Sequence, residues 1–373
     1  MRIESIDLRQ VQLELTAPFT TSFGTTLKRA CLIVAVTAEG ETGLGECVAF
    51  DGPWYSYETI ATAWHIMSDF LVPRLLAKNF VEPEDVWTVF APIRGHNMAK
   101  AALEMACWDL FARCRGVSLT SLLGGTRERV PVGVSVGIQP SPEALVDVVG
   151  GYLDDGYQRI KLKIAPGTDI EFVTAVRRAY PDAQVQVDAN SAYTLADEPT
   201  FRQMDQFELL LIEQPLGPDD IVDHARLQRD LATPICLDES IHSPDDARHA
   251  LDLGSCRIIN IKPGRVGGHR QSRAIHDLCL SRGVPVWCGG MLETNIGRAH
   301  NVALASLPGF SLPGDISASA RYYEHDIAGP GFDLNEDSTI TVPGRPGIGV
   351  DLESKIAWER RDTFRSEHRI VFP

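Results

Sequence analysis

What this chain lacks narrows its chemistry before any motif is read. No window approaches the roughly 18 consecutive apolar residues of a membrane span, and Met1–Asp7 lacks the continuous apolar stretch of a secretory signal. No membrane partner is therefore expected. Basic residues are in deficit, with 35 Lys and Arg against 50 Asp and Glu and a formal net charge of −15. That balance removes the cationic face that a nucleic-acid partner requires. Eight cysteines (Cys31, Cys47, Cys107, Cys114, Cys236, Cys256, Cys279 and Cys288) form no Cys-x-x-Cys pair. Their mostly apolar neighbours read as small buried hydrophobes in a reducing cytoplasm. There is no low-complexity tract. The glycine-rich stretch Gly264–Gly268 lacks the following lysine motif of a phosphate cradle, so turn geometry explains it better. His242, His269 and His300 have no ligand-type spacing and read as polar surface or capping groups. Tyr322–Tyr323, Trp54–Tyr55 and Trp287 read as packing aromatics.

What is present is a comb. Lys163, Asp188, Glu213, Asp238 and Lys262 are separated by 25, 25, 25 and 24 residues, and each ends a short β-like run. A strand, a helix and two loops occupy about that length, so the comb reads as one βα unit repeated around a (β/α)8-type barrel, where strand C-termini converge on the catalytic mouth. At 373 residues, with 44% hydrophobic and 23% charged residues, the chain accommodates such a barrel plus a smaller domain.

Alternating runs such as Cys31–Thr37, with turn signals at Glu39–Gly40, predict an antiparallel meander up to about residue 60. From about 58 to 123 the pattern is helical, with Leu103, Cys107, Leu110, Phe111 and Cys114 on one apolar stripe, closed by Gly124–Gly125. The expected organisation is an α+β capping domain over 1–125 and a barrel of modified (β/α)7β form over 126–318 carrying the site. A C-terminal segment, 319–373, is expected to pack back on the capping domain. The first barrel strand is expected at Val132–Gly137, the seventh at Val284–Gly290, and a short eighth segment near Leu312–Asp315.

Three carboxylates from neighbouring strands, with no His or Cys nearby, suit Mg²⁺ rather than zinc, with Mn²⁺ a possible substitute. Such an ion stabilises charge building on oxygen when a proton next to a carboxylate is removed. Lys161 and Lys163 share one strand face, and like-charge repulsion between them favours a lowered pKa and a base near neutral pH. Lys262 comes from a distant strand, so the two lysines can address opposite sides of one carbon. Asn190 shares a face with Asp188, and Glu239 adds a carboxylate beside Asp238. Each residue alone reads as a loop charge or ion pair; their common phase reverses that balance.

These motifs resemble the enolase superfamily in its muconate-lactonizing-enzyme-like subgroup. The match rests on Lys161-x-Lys163, Asp188–Asn190, Glu213–Pro215, Asp238–Ser240 and Asn260–Pro263, with the helix Ala102–Leu110 closing at Leu122–Gly125. Within it the chain is most similar to o-succinylbenzoate synthases and N-succinylamino acid racemases. That likeness lies in Gly133–Ile138, Lys262–Gly268, Trp287–Thr294, Gly297–Arg298, Asn301–Ser306 and Gly314–Ser319. The resemblance implies that Asp188, Glu213 and Asp238 bind Mg²⁺ and that Lys163 and Lys262 flank a small carboxylate substrate, with Lys161 beside them. It implies substrate or supporting roles for Ser135, Asn190, Glu239, Arg265, Gly290, Met291 and Leu292. The segment Phe19–Gly24, with Phe19 and Phe23, and Asp51–Pro53 would cap the mouth; a homo-oligomer is expected. Lys262 stands where a mandelate-racemase-like branch carries histidine. Gly314–Ser317 departs from the Asp-x-Asp of dipeptide epimerases, and Arg265 resembles a racemase-competent pattern. Dehydration, racemisation, muconate cycloisomerisation and a non-catalytic scaffold all remain open at this point.

Overall fold

The computed structural model describes residues 1–366. Two long strands, β1 (Ser5–Thr21) and β2 (Gly24–Ala38), form an antiparallel hairpin, and β3 (Glu41–Cys47) continues the meander. The β2–β3 turn needs two left-handed residues, supplied by Glu39 (φ 54°) and Gly40 (φ 82°). The apolar run in β2 is continuous because both faces are covered. Leu32, Val34 and Val36 pack with the helical layer, while Cys31, Ile33 and Ala35 join the barrel core.

Helix α1 (Asn97–Cys114) lies directly on β3. Gly43 and Gly45 permit this approach, since a Cβ at either would collide with the backbone of Ala106, Leu110 or Ala102. The expected single apolar stripe is corrected here: every residue from Met98 to Ala112 is buried. The helix is wedged between the meander and the barrel, so it has no solvent face. Its buried acids are occupied. Glu104 accepts from the backbone N–H groups of His269 (2.8 Å) and Arg270 (2.9 Å) and from Trp108 Nε1 (2.7 Å). It thereby satisfies the first turn of the barrel helix His269–Ser281. Glu46 on β3 does the same for the helix Asn295–Ala305, accepting from Thr294 Oγ1 at 2.6 Å and Gly297 N at 3.0 Å.

Seven parallel strands follow in sequence order: β4 (Val134–Val136), β5 (Arg159–Lys163), β6 (Gln184–Asp188), β7 (Ile212–Glu213), β8 (Ile235–Leu237), β9 (Ile258–Ile261) and β10 (Val286–Cys288). The eighth position is filled by Phe310–Asp315, which makes isolated bridges to Val286 on one side and Val132 on the other. Asp315 N donates to Cys288 O at 2.9 Å and Gly133 N to Gly314 O at 2.9 Å. The barrel closes through this segment without a full ladder. Ile170–Ala179 and Pro244–Leu253 are among the helices between strands. Near the C-terminus, β11 (Arg360–Arg365) pairs antiparallel with β1. Residues 367–373, part of the expected C-terminal segment, lie outside the described residues.

Candidate active site

Each tooth of the comb sits at the same end of the barrel. Lys163, Asp188 and Glu213 are the last residues of β5, β6 and β7, and their pairing is in register, Lys163 opposite Asp188 and Asp188 opposite Glu213. Asp238 and Lys262 stand one residue beyond β8 and β9. The short helix Pro263–Val266 begins directly after Lys262 and carries Arg265 inward. Asp188, Glu213 and Asp238 are 0% exposed, so their charge must be met inside the protein.

Cations meet it. Lys163 Nζ lies 2.6 Å from Asp188 Oδ2 and 2.7 Å from Asn190 Oδ1. Lys161 Nζ lies 2.9 Å from Glu213 Oε2 and 3.1 Å from Asp188 Oδ2, and it is ion-paired with Asp315. Lys262 Nζ donates to Asp238 Oδ2 at 2.8 Å and to Tyr55 Oη at 3.2 Å, while Tyr55 donates to Asp238 Oδ1 at 3.1 Å. Arg265 pairs with Asp238 Oδ1 and donates to Ile241 O (2.7 Å) and Asn260 O (2.6 Å). Asn190, in a left-handed conformation (φ 41°), donates Nδ2–H to Glu239 Oε1 at 3.0 Å, which orients its amide oxygen toward Lys163.

These surroundings split the lysines. Burial, together with Lys161 and Lys262, outweighs the pull of Asp188, and Lys163 falls below the ordinary lysine pKa. Burial also opposes the Lys262 charge, but Tyr55, Glu213, Glu239 and Asp188 overcome it and hold its pKa above the ordinary value. Lys161 is likewise raised, with Asp315, Glu213 and Asp188 outweighing burial. The geometry thus presents one lysine inclined to give up its proton and one inclined to keep it.

The three acids expected to suit Mg²⁺ stand at the same end of three adjacent strands. Among the described residues no three Asp, Glu, His or Cys side chains converge as a coordination set. The oxygens of the acids are turned to lysine and arginine donors, because buried carboxylates require counter-charge. The donor set itself suits a hard cation, being all carboxylate oxygen with Asn260 Oδ1, buried and without a partner, beside Glu213. The cations that face it sit on flexible stems.

Above the strand ends lies a cavity with room for about 50 Å³ of water-sized ligand. Lys161, Lys163, Lys262, Asn190 and Ser135 form its floor, and Gly290, Met291 and Leu292 line it beyond β10. Phe19 and Phe23, from the β1–β2 hairpin, line it too. Ser22 Oγ, in the turn between them, donates to Asn190 O at 3.2 Å. Gly289 leaves room for Lys262, because a Cβ there would lie 2.7 Å from the lysine Cε. Of the residues named from sequence, Asp188, Glu213 and Asp238 do not line this cavity but are buried against its lysines, and Glu239 and Arg265 act on Asn190 and Asp238. Asp51–Pro53, expected to cap the mouth, does not line it, and Pro53 faces a separate cavity. Sequence reasoning missed Tyr55, Asp315 and Tyr322 as cavity residues. Asp315 carried a signal, standing two βα periods beyond Lys262. Tyr55 carried none, since it arrives on an irregular loop. His269 and His300 correct another expectation: both are fully buried, hydrogen-bonded to each other at 2.9 Å, with His300 Nε2 2.8 Å from Leu44 O. Pairing, invisible in sequence, makes that burial tolerable.

A parallel barrel with acids and lysines at its strand ends, roofed by an antiparallel cap, defines a class of barrel protein built around a carboxylate- and ammonium-lined mouth. Residues 4–124 match the mandelate racemase/muconate lactonizing enzyme N-terminal domain, and residues 144–356 match the enolase C-terminal domain-like family. The chain belongs to this family of the enolase superfamily. It is 55% identical to an o-succinylbenzoate synthase of Geobacillus kaustophilus, over 95% of each chain. It is 53% identical to an N-succinylamino acid racemase of Amycolatopsis sp., covering 94% of this chain and 95% of that one. A solved enolase-superfamily structure from Listeria innocua Clip11262 superposes with a TM-score of 0.95 at 44% identity, covering 98% of this chain and 100% of that one. Among the described residues no helix is long and apolar enough to cross a membrane.

Proposed function

We propose that this protein removes the proton α to a carboxylate of a succinylated substrate, acting as an o-succinylbenzoate synthase, an N-succinylamino acid racemase, or both. The observation that carries the reading is the pair Lys163 and Lys262. They rise from β5 and β9, four strands apart around the barrel, and line one cavity. The names of relatives 48–55% identical over nearly the whole chain support the same two reactions.

In this reading Asp188, Glu213 and Asp238 would hold Mg²⁺, or Mn²⁺ in its place. When bound, the ion supplies positive charge to the carboxylate oxygens on which the enediolate develops. The chain's own residues do the rest. Lys163, with its lowered pKa, takes the α-proton from one face. In dehydration the same ammonium then donates to the departing hydroxyl, while Lys262 stays protonated and stabilises the other face. In racemisation Lys262 delivers or takes a proton there. Asn190 and Glu239 orient Lys163; Tyr55 and Asp238 orient Lys262. Phe19, Phe23, Met291 and Leu292 limit water at the reacting carbon.

The test is α-proton exchange. N-succinylamino acids are incubated with the protein and Mg²⁺ in D₂O and followed by ¹H NMR, and the cyclohexadiene precursor of o-succinylbenzoate is assayed for dehydration. Exchange or turnover is expected; silence across a broad panel would favour a non-catalytic scaffold. Ultraviolet turnover of cis,cis-muconate in place of the succinylated compounds would point to cycloisomerisation.

A further inference from the structure

Behind the aromatic wall of the cavity stands an arginine that does not line it. Arg321 ends the 3₁₀ turn Ser319–Arg321, on the chain that leaves the closing segment of the barrel. Its guanidinium carbon lies 5.9 Å from the ring centre of Phe19, 5.2 Å from that of Tyr322 and 5.1 Å from that of Tyr152. Its Nη2 donates to Ser135 O at 3.3 Å. Phe19, Tyr322 and Ser135 all line the cavity, and they come from separate places: the cap hairpin, the chain after the closing segment, and β4. Tyr152, on the helix Pro142–Asp154, does not line it.

As a stabilising group the Arg321 side chain is poor. Among the described residues it pairs with no carboxylate, its one hydrogen bond is long, and its Nε is buried without a partner. The hairpin does not depend on it for attachment either. Thr16 N donates to Tyr322 O at 2.9 Å, Thr16 Oγ1 to Arg321 O at 2.9 Å, and Ile138 N to Thr20 O at 2.9 Å. A new side chain at position 321 leaves those ties in place. What they do not fix is the Phe19 ring. Phe19 follows an irregularity in the β1–β2 ladder that begins after Glu14, and it meets Tyr322 edge-on at 6.2 Å. Tyr322 has a second guanidinium against it, that of Arg298 at 5.7 Å, whereas among the described residues Phe19 has Arg321 alone.

We infer that Arg321 is a positioning residue for the reaction: one guanidinium, held outside the cavity, aligns Phe19, Tyr322 and Ser135 into a single wall and sets the shape in which substrate is bound. A cation attracts the ring faces, and a planar guanidinium can do so while it donates to Ser135 O. Arg321 touches neither Lys163 nor Lys262, nor the groups that hold them, so it acts on binding and not on proton transfer. The role rests on the proposed reaction, but the alignment is read without substrate.

The test is steady-state α-proton exchange of N-succinylphenylalanine by the full-length, Mg²⁺-loaded protein, with urea unfolding alongside. Arg321→Met keeps the length of the stem and removes the planar cation. It should raise KM about tenfold, the scale of two lost cation–ring contacts, and leave kcat within about threefold of native. Arg321→Lys keeps a cation and should recover most of that KM. The unfolding midpoint of both variants should stay near the native one. Tyr152→Leu, outside the cavity, loosens Arg321 and should raise KM about threefold in the native chain while adding nothing to Arg321→Met, as for residues that act through one group. Without substrate, hydrogen–deuterium exchange of residues 19–26 should quicken in Arg321→Met and return toward native in Arg321→Lys. The inference is overturned if Arg321→Met keeps the native KM, or if kcat falls as far as kcat/KM. A loss of stability in step with the loss of activity, outright failure to fold included, also overturns it, because Arg321 is then structural only. No exchange by the native chain, with residues 19–26 still loosened in Arg321→Met, would strike the proposed reaction and leave the alignment standing.

Discussion

Replacing Lys262 by arginine separates the two faces of the site. Lys262 Nζ lies 2.8 Å from Asp238 Oδ2 and 3.2 Å from Tyr55 Oη, and the residue is 5% exposed. Arginine keeps the positive charge that Asp238 meets, so the local charge balance is preserved, but a guanidinium does not release a proton at any accessible pH. Loss of an essential base or acid costs about 10²–10⁴-fold, or about 3–5 kcal/mol in the barrier. That loss should fall only on the enantiomer whose α-proton faces position 262. The other enantiomer, facing Lys163, should keep its exchange within about tenfold of the native rate, because Asp188 and Asn190 still hold that lysine. Each enantiomer of one N-succinylamino acid is followed by ¹H NMR in D₂O, with polarimetry for racemisation. Racemisation should vanish while one-sided exchange and part of any dehydration persist. Lys163→Ala should instead abolish both dehydration and racemisation. Should Lys262→Arg exchange both enantiomers at equal rates, or still racemise, the two-face arrangement is wrong.

Asp238→Asn should weaken Mg²⁺ binding, seen by calorimetry, and lower turnover by about 10²-fold or more while circular dichroism reports an intact fold; undiminished activity of the native chain in excess chelator would count against the acids as ligands. Tyr55→Phe removes the hydroxyl between Lys262 and Asp238 and should slow the reaction of the Lys262-facing enantiomer by about tenfold, with little change in KM; an effect confined to KM would make Tyr55 a substrate contact only. Burial raises the Glu104 carboxyl to about 7, against the backbone N–H groups of Arg270 and His269, from an ordinary 4.5. A carboxyl raised on folding contributes stability below its unfolded pKa that is lost as pH climbs through the folded one, here between about 4.5 and 7, on the order of 3 kcal/mol. Glu104→Gln should flatten that part of the stability–pH curve from urea unfolding; an unchanged slope would reject Glu104 as its source.

The barrel was legible because its period is mechanical. A strand and a helix of ordinary length return the chain to the same end, so Lys163, Asp188 and Glu213 ended their strands as expected, and Asp238 and Lys262 missed by one residue. Strand alternation gave the common face of Lys161 and Lys163, but the comb carried no information on which donor each carboxylate oxygen meets, here Lys161, Lys163, Lys262 and Arg265. Periodicity failed for α1, where the cap and the barrel compete for both sides of one helix, and no local pattern distinguishes that from a single buried stripe. Tyr55 was lost for a different reason: its position is decided by the packing of an irregular loop over the mouth, a contact 183 residues from Asp238 along the chain.

The reach of Glu46 and Glu104 across the molecule bears on how this protein could be rebuilt. Two barrel helices, His269–Ser281 and Asn295–Ala305, begin on carboxylates that belong to the cap. A chimera that grafts a foreign cap onto this barrel inherits two bare helix starts unless the graft brings acids to the same points. Swapping the mouth-covering hairpin alone, Phe19 to Gly24, avoids that difficulty. Recombination between relatives should therefore tolerate crossovers inside the hairpin and reject crossovers between β3 and α1, a bias that a shuffled library would reveal in its survivors.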